Sequence, residues 1–204
     1  MGTSMPFNWF DVFIVVFLIV GAYRGRKRGM SQEIMPLLKW ITLAAICGFF
    51  YAPIAAEIAQ GTVVSMLSAS FTAYLGLALV IACLFTAVNR SLGGKVVGSD
   101  AFGNAEYYLG IFSGVVRFAC MLIFGLALLN ARFYPPAEIA ARNAYVQQNF
   151  DNDFFPALFQ VQDKVFKESF SGPAIHKNLD FLLIKPALPE AKPIKRKELE
   201  IPTV

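Results

Sequence analysis

The chain has 204 residues, of which 56% are hydrophobic and only 16% are charged, and its formal net charge is +4. Soluble domains carry roughly 25% charged residues, so this composition indicates a membrane protein rather than a globular protein with a large core. It also argues against nucleic-acid binding, because the cations lie beside apolar runs and in the tail rather than along a face of stacking aromatics. The three cysteines lie in three different apolar runs, which predicts no disulfide framework.

The first apolar run, residues 7–23, is followed at once by a basic stretch. This stretch contains Arg24, Arg26, Lys27 and Arg28. Short loops rich in Lys and Arg stay in the cytoplasm, because moving them across a membrane is costly. No cation precedes the run, unlike the pattern of a secretory signal peptide. We therefore predict an uncleaved transmembrane helix with its N-terminus outside, and a cytoplasmic loop after it.

Three further runs are long enough to cross a bilayer. A helix needs roughly 20 apolar residues for this, and residues 34–59, 63–89 and 109–131 provide them. None of the runs alternates with the period of a strand. The sequence predicts an all-α integral membrane domain over residues 1–131 with four transmembrane helices. An even number of crossings places the C-terminus on the same outer side as the N-terminus.

Small residues recur at four-residue spacing in the later spans. They are Ala44, Gly48, Ala52 and Ala56 in the second span, Ser68, Thr72 and Gly76 in the third, and Gly110 and Gly114 in the fourth. Small side chains let helix backbones approach closely in lipid. We interpret the second-span set as a helix-packing face that favours self-association. The alternative is that small residues are simply common in membrane helices.

Ionisable residues within the spans are the candidate functional groups, because a charge in lipid is costly and often functional. Asp11 lies near the outer end of the first span, and Glu57 lies at the same level of the second. Arg117 lies roughly 12 Å from the inner start of the fourth span. Asp11 and Arg117 are thus expected in opposite leaflets, where they cannot pair. A structural role and a functional role in a polar cavity are equally open for Arg117.

Patterns for catalysis and for metal binding are scarce. The single histidine, His176, lies in the tail, and no spacing of His, Cys or Glu suits zinc. The glycine-rich residues 92–98 lack the Ser or Thr and the preceding strand of a phosphate-binding loop. We therefore predict no enzymatic activity, no cofactor and no metal site.

The sequence after the fourth apolar run predicts a region outside the membrane. Residues 156–170 place apolar side chains at helical spacing opposite polar ones, which predicts an amphipathic helix that lies in the membrane interface or covers a partner. A small packed domain is equally open. We predict an extramembrane, partly amphipathic-helical region over residues 132–184. Prolines and alternating charges predict a disordered end over residues 185–204.

An ordered set of residues runs through the four spans. It comprises Asp11, Arg24-Gly25, Arg28, Glu33, Trp40, Asn89, Leu109-Gly110, Gly114 and Arg117. This set resembles the colicin V production protein family of bacterial inner-membrane proteins over about residues 7 to 130, and the tail from Arg132 is unmatched. Glu106-Tyr107 stands where the family often has Asp-Arg, and Phe118 where it often has Gly. The resemblance implies a four-span inner-membrane protein linked to colicin V production or export and to envelope integrity.

Three hypotheses for function follow. The first is a non-enzymatic, oligomeric inner-membrane protein that supports toxin production or export, or envelope homeostasis, with both termini in the periplasm. The second is a small channel or transporter, which needs a continuous hydrated path containing Arg117 and Asp11 or Glu57. The third is a membrane scaffold whose tail binds an envelope partner. The expected partners are the lipid bilayer, further copies of the chain and an envelope or export protein, without nucleic acid.

Overall fold

The computed structural model describes residues 8–62, 64–91, 103–135, 137–140 and 158–187. Four long helices and two short ones account for most of them: α1 Trp9–Arg28, α2 Met30–Gly61, α3 Met66–Ser91, α4 Glu106–Asn130, α5 Leu158–Phe166 and α6 Ser171–Leu179. Single turns of 3-10 helix occupy Gly103–Ala105 and Asp180–Leu182. No strand occurs in these ranges, and the predicted all-α class is confirmed. The glycine-rich residues 92–98 lie outside the described residues.

The first two helices meet at a single residue, Gly29. Its φ of +76° lies in the left-handed region, where glycine carries no steric penalty, so α2 can begin directly after α1 ends. The basic stretch was expected in a loop, but the structure places it in the last turns of α1. Arg and Lys are good helix formers, and cations are favoured at a helix C-terminus. We call this end of the molecule the basic end.

The four long helices pack side by side as a bundle. α1 packs mainly on α4, α4 on α2, and α2 on α3. Phe17 of α1 contacts Phe118 of α4, and Gly25, later in α1, contacts Gly110, earlier in α4. The two helices therefore run antiparallel. The core buries one face of each helix and includes Leu43, Cys47, Tyr51, Tyr74 and Leu126. Pro53 lies inside α2, and the helix continues past it to Gly61.

Three helices are long and apolar enough to cross a membrane, namely α2, α3 and α4. The predicted count was four. α1 differs because Asp11 and the cations at 24–28 leave an uncharged stretch only over residues 12–23, which is short of the roughly 20 residues that a span needs. The length and composition of these three helices indicate a multi-pass membrane protein, and a crossing by α1 stays a prediction.

The tail folds back onto the end of the bundle opposite the basic end. Leu183 and Ile184 are fully buried, and Asn130 Nδ2 donates a hydrogen bond to the Ile184 carbonyl at 3.0 Å. The Lys185 amide donates to the Tyr51 hydroxyl at 2.8 Å, and Ala187 pairs with the backbone after α4. The segment predicted as disordered thus begins with ordered residues at 185–187, and residues 188–204 lie outside the described part.

Candidate functional site: a buried ion pair beside a glycine seam

The seam between α1 and α4 is built from glycines. A Cβ at Gly25 would overlap the carbonyl oxygen of Gly110, and a Cβ at Gly114 would overlap that of Gly21. The two backbones therefore touch directly, as small residues at four-residue spacing permit in a membrane. The structure places the predicted packing residues Gly110 and Gly114 in this seam. Sequence reasoning missed their partners, although Gly21, Gly25 and Gly29 show the same spacing.

The predicted packing face of α2 is only partly buried. Ala44 is buried and Gly48 lies against Leu182, but Ala52 is exposed and Ala56 is half-buried. Each step of four residues advances about 40° around a helix, so the three steps from Ala44 to Ala56 rotate the row by about 120°, away from one contact surface. Further along α2, the buried small residues are Ala55 and Ala59, which pack against two alanines of α3.

A buried ion pair joins α2 to α4. Arg117 Nη1 donates a hydrogen bond to Glu33 Oε2; Glu33 is 0% exposed and Arg117 is 5% exposed. Arg28, in the last turn of α1, places its Nη1 at 3.4 Å from the other carboxylate oxygen of Glu33. One carboxylate therefore contacts cations from two other helices. Sequence reasoning identified Arg117 but missed Glu33 as its partner.

The reach of the arginine side chain explains this pairing. Gly110 of α4 lies against Gly29, the residue before α2, so Arg117 is about 10 Å along α4 from that level, whereas Glu33, in the first turn of α2, is about 6 Å along its own helix. Side chains on a helix tilt toward its N-terminus, and α4 begins at the basic end, so the long side chain returns toward Glu33. The Phe118 ring lies 5.2 Å from the Arg117 guanidinium carbon. Gly21 makes room for this ring, because a Cβ there would lie 2.8 Å from Phe118 Cγ.

A second carboxylate, that of Glu106, joins two helices at the basic end. Glu106 Oε1 accepts a hydrogen bond from the Ser31 amide at 2.7 Å, and Oε2 accepts one from the Ser31 hydroxyl at 3.0 Å. Ser31 lies in the first turn of α2, where a negative charge is favoured by the helix dipole and by amides without helical partners. A Cβ at Gly29 would lie 2.6 Å from Glu106 Oε1. The start of α4 is thereby tied to the start of α2.

Asp11 performs the corresponding role at the opposite end. Its carboxylate accepts hydrogen bonds from the Phe170 amide at 3.1 Å, and from the Ser171 amide and hydroxyl at 2.9 and 2.6 Å. It also accepts one from the Asn8 amide, which closes the capping box at the start of α1. Asp11 is 4% exposed. The carboxylate holds the start of α6 against α1 and does not contact Arg117.

The third predicted polar residue, Glu57, lies apart from these contacts. It is exposed on the far part of α2, and no ion pair joins it to another described residue. Across the described ranges, no group of three or more His, Cys, Asp or Glu side chains is arranged to hold a metal ion.

The bundle and its ion pair lie within a recognisable family region. The sequence profile described as Colicin V production protein matches residues 10–153. The chain belongs to the colicin V production protein family. Its membership connects the chain with colicin V production, and the matched region contains Asp11, Glu33 and Arg117. Neither a curated protein nor a solved structure matches the chain.

The family match also corrects the extent of the resemblance. The tail from Arg132 was expected to be unmatched, but the match continues to residue 153. The residues that follow α4 therefore belong to the colicin V production region, whereas α5 and α6 lie beyond it.

An open groove separates the end of α4 from α5 and α6. We call it the tail groove; its volume is about 450 Å³, and its lining includes Arg132, Phe133, Tyr134, Phe159, Phe166, Lys167, His176 and Lys177. Arg132 is paired with Glu138, and Lys167 with Asp163. Lys177 has no ion pair with a described residue. The groove therefore combines aromatic walls with an available positive charge.

Proposed function

We propose that this protein is a non-enzymatic inner-membrane scaffold that supports production or export of a colicin V-type toxin, or envelope homeostasis. The observation that carries the proposal is the use of the buried charges. Glu33, Arg117 and Asp11 each bind another element of the same chain, so the polar groups hold the bundle together. The family match supplies the connection with the toxin.

A channel or transporter is less well supported. It needs a hydrated path through Arg117 and Asp11 or Glu57, but Arg117 is bound to Glu33, and Asp11 is bound to the start of α6. Opening such a path would break the Glu33 contact, whose loss leaves a buried charge without a partner and is costly. A scaffold does not require the Glu33–Arg117 contact to break.

The proposed orientation places the basic end in the cytoplasm and the tail groove in the periplasm. The positive-inside rule supports the first part. The second is supported by the start of α1, where Asn8 Nδ2 donates a hydrogen bond to the Lys164 carbonyl of α5 at 3.3 Å. The beginning of α1 and the tail therefore share one end of the bundle, as an even number of crossings requires.

The tail groove is the proposed binding surface for an envelope or export protein. Its aromatic side chains suit an apolar anchor, and aromatic residues are enriched where proteins bind each other. Lys177 suits a carboxylate of the partner, because complementary charge orients association. The proposed ligand is therefore a partner segment with an apolar side chain close to an acidic one.

The proposed scaffold also self-associates. The glycines at the α1–α4 seam are used within the chain, so the contact proposed for a second copy is the row Ser68, Thr72 and Gly76 on α3. They lie exposed along α3, and a Cβ at Gly76 would meet no atom within 4 Å. Such an open row lets a second helix approach closely.

The scaffold proposal is tested by reversing one charge in the groove. Lys177→Glu should reduce toxin release roughly tenfold, which corresponds to about 1.4 kcal/mol of lost partner binding. Lys164→Glu is the matched control, because Lys164 is an exposed lysine of the same tail that does not line the groove. Release is measured from cells that lack any other copy, after both variants are shown to reach equal membrane levels. Equal release by the two variants would exclude the groove as the binding surface.

Deleting the whole tail would be a weaker experiment. Leu183 and Ile184 fill the core and Lys185 binds Tyr51, so a truncation after α4 would expose the bundle interior. Loss of function would then report unfolding as readily as loss of a partner. The single-charge reversal leaves those contacts in place.

A further inference from the structure

A second groove lies at the basic end, between the last turns of α1 and the first turns of α4. We call it the α1–α4 groove. Its volume is about 800 Å³, and it is lined by Tyr23, Arg26, Lys27, Tyr107, Tyr108 and Ile111. Arg26 and Lys27 are exposed, and so are the three tyrosines, with Tyr108 at 77%. Two cations and three phenol groups therefore border one open volume.

The positive charge of this groove is not neutralised by the described part of the chain. No carboxylate within the described ranges lies within 4.0 Å of Arg26 or Lys27, whereas the neighbouring Arg28 is paired with Glu33. The nearest acidic residue along α4, Glu106, directs its carboxylate to the start of α2. The groove thus presents two cations that are available to an external anion.

The same groove continues the lipid-facing surface of the bundle. On α1, Val16, Ile19 and Val20 are exposed at helical spacing before Tyr23 and the two cations; on α4, Phe112 is exposed one turn after Tyr108. A molecule lying here would contact apolar side chains along its length and cations at one end. This is the arrangement of a phospholipid, whose acyl chains are apolar and whose headgroup carries the phosphate.

We propose that the α1–α4 groove binds the headgroup of an anionic phospholipid. Arg26 and Lys27 bind the phosphate, and the tyrosine hydroxyls lie at the headgroup level, where aromatic residues concentrate in membrane proteins. Basic pockets between transmembrane helices are suited to anionic headgroups by this combination of charge and apolar walls. The lipid bridges α1 and α4, so it also stabilises the seam between them.

The test uses the full-length protein in phosphatidylcholine nanodiscs that contain a small fraction of spin-labelled phosphatidylglycerol. The motionally restricted fraction of the label gives the relative association constant against phosphatidylcholine. For the double variant Arg26→Gln, Lys27→Gln we expect this constant to fall about 30-fold, because each cation near the surface contributes about 1 kcal/mol. The variant Tyr107→Phe, Tyr108→Phe keeps the charges and rings, and we expect a smaller loss of about threefold.

The matched control removes two cations from the same end but outside the groove. Arg24→Gln, Arg90→Gln should change the constant by less than about threefold, because these exposed charges act only through the screened surface potential. An equal fall in the two charge variants would overturn the proposal, as would absence of any preference for phosphatidylglycerol in the wild type. Displacement of the spin label by inorganic phosphate at constant ionic strength would assign the groove to a soluble phosphate and also overturn it.

Discussion

Removing one member of the Glu33–Arg117 ion pair should cost more stability than removing both. The variants are Glu33→Leu, Arg117→Met and the double variant that combines them. Each single variant leaves one charge inside the bundle without its partner. The double variant removes both charges and substitutes apolar side chains of similar size, as the buried setting allows.

The magnitudes follow from the burial of the pair. The exposed fractions of the Glu33 and Arg117 side chains are 0% and 6%, so solvent screens their interaction little. Each single variant should lower the free energy of unfolding by about 3–5 kcal/mol, whereas the double variant should be close to neutral. A loss of that size corresponds to a fall in Tm of about 6–20 °C for a chain of this length. Arg28 adds little, because its side chain is 41% exposed.

Thermal unfolding of the full-length protein in detergent micelles, followed by circular dichroism, measures these shifts. Glu57→Leu is the control, since Glu57 is an exposed acid of the same helix, and we expect a change within about 0.5 kcal/mol. If the losses of the single variants simply add in the double variant, the pair is not coupled and the reasoning is refuted. The double variant should also retain toxin release. A stable but inactive double variant would show that function needs at least one of the two charges, beyond their effect on stability.

Three further predictions concern other contacts of the bundle. Gly25→Ala should destabilise the bundle by about 3 kcal/mol in the same unfolding assay, because its Cβ would overlap the backbone of α4. The control Gly125→Ala, where the space is open, should change stability by less than about 1 kcal/mol. Equal effects of the two variants would contradict a tight seam. Gly76→Leu should lower the cross-linked dimer fraction in native membranes, because a large side chain would keep a second helix away from α3. Gly125→Leu is the control, and an equal dimer fraction for the two variants would exclude α3 as the contact between copies. Asp11→Ala should speed hydrogen exchange of the Ser171 amide roughly tenfold to a hundredfold, from a loss of about 1–3 kcal/mol; an unchanged rate would show that the carboxylate does not hold α6.

The apolar segments could be predicted because their signal is local. The runs at 34–59, 63–89 and 109–131 correspond to α2, α3 and α4 within a few residues, since length and hydrophobicity suffice to predict a membrane helix. The basic stretch was less informative about backbone shape. Its cations favour a helix end as readily as a loop, and the turn itself depends on one glycine.

The partners of the charged residues could not be predicted in the same way. The depth of Arg117 along α4 suggested an isolated charge in the membrane, because residue spacing measures the backbone and not the reach of a long side chain. Asp11 posed a related difficulty: its partners, Phe170 and Ser171, are about 160 residues away, and two of its contacts with them are to backbone amides, which any sequence provides. The return of Leu183 and Ile184 into the core is also hidden, because its hydrogen bonds join their backbone to side chains that are distant in sequence, Asn130 and Tyr51.

The contacts together explain how α1 can belong to the bundle although it is the least apolar of the four long helices. Its charges at both ends shorten the stretch that lipid alone would hold. At one end Arg28 contacts Glu33, at the other Asp11 holds α6, and between them Gly25 brings its backbone against α4. Two of the charges that weaken α1 as an independent span, Asp11 and Arg28, thus attach it to the rest of the chain. Its position therefore depends on α2, on α4 and on the tail.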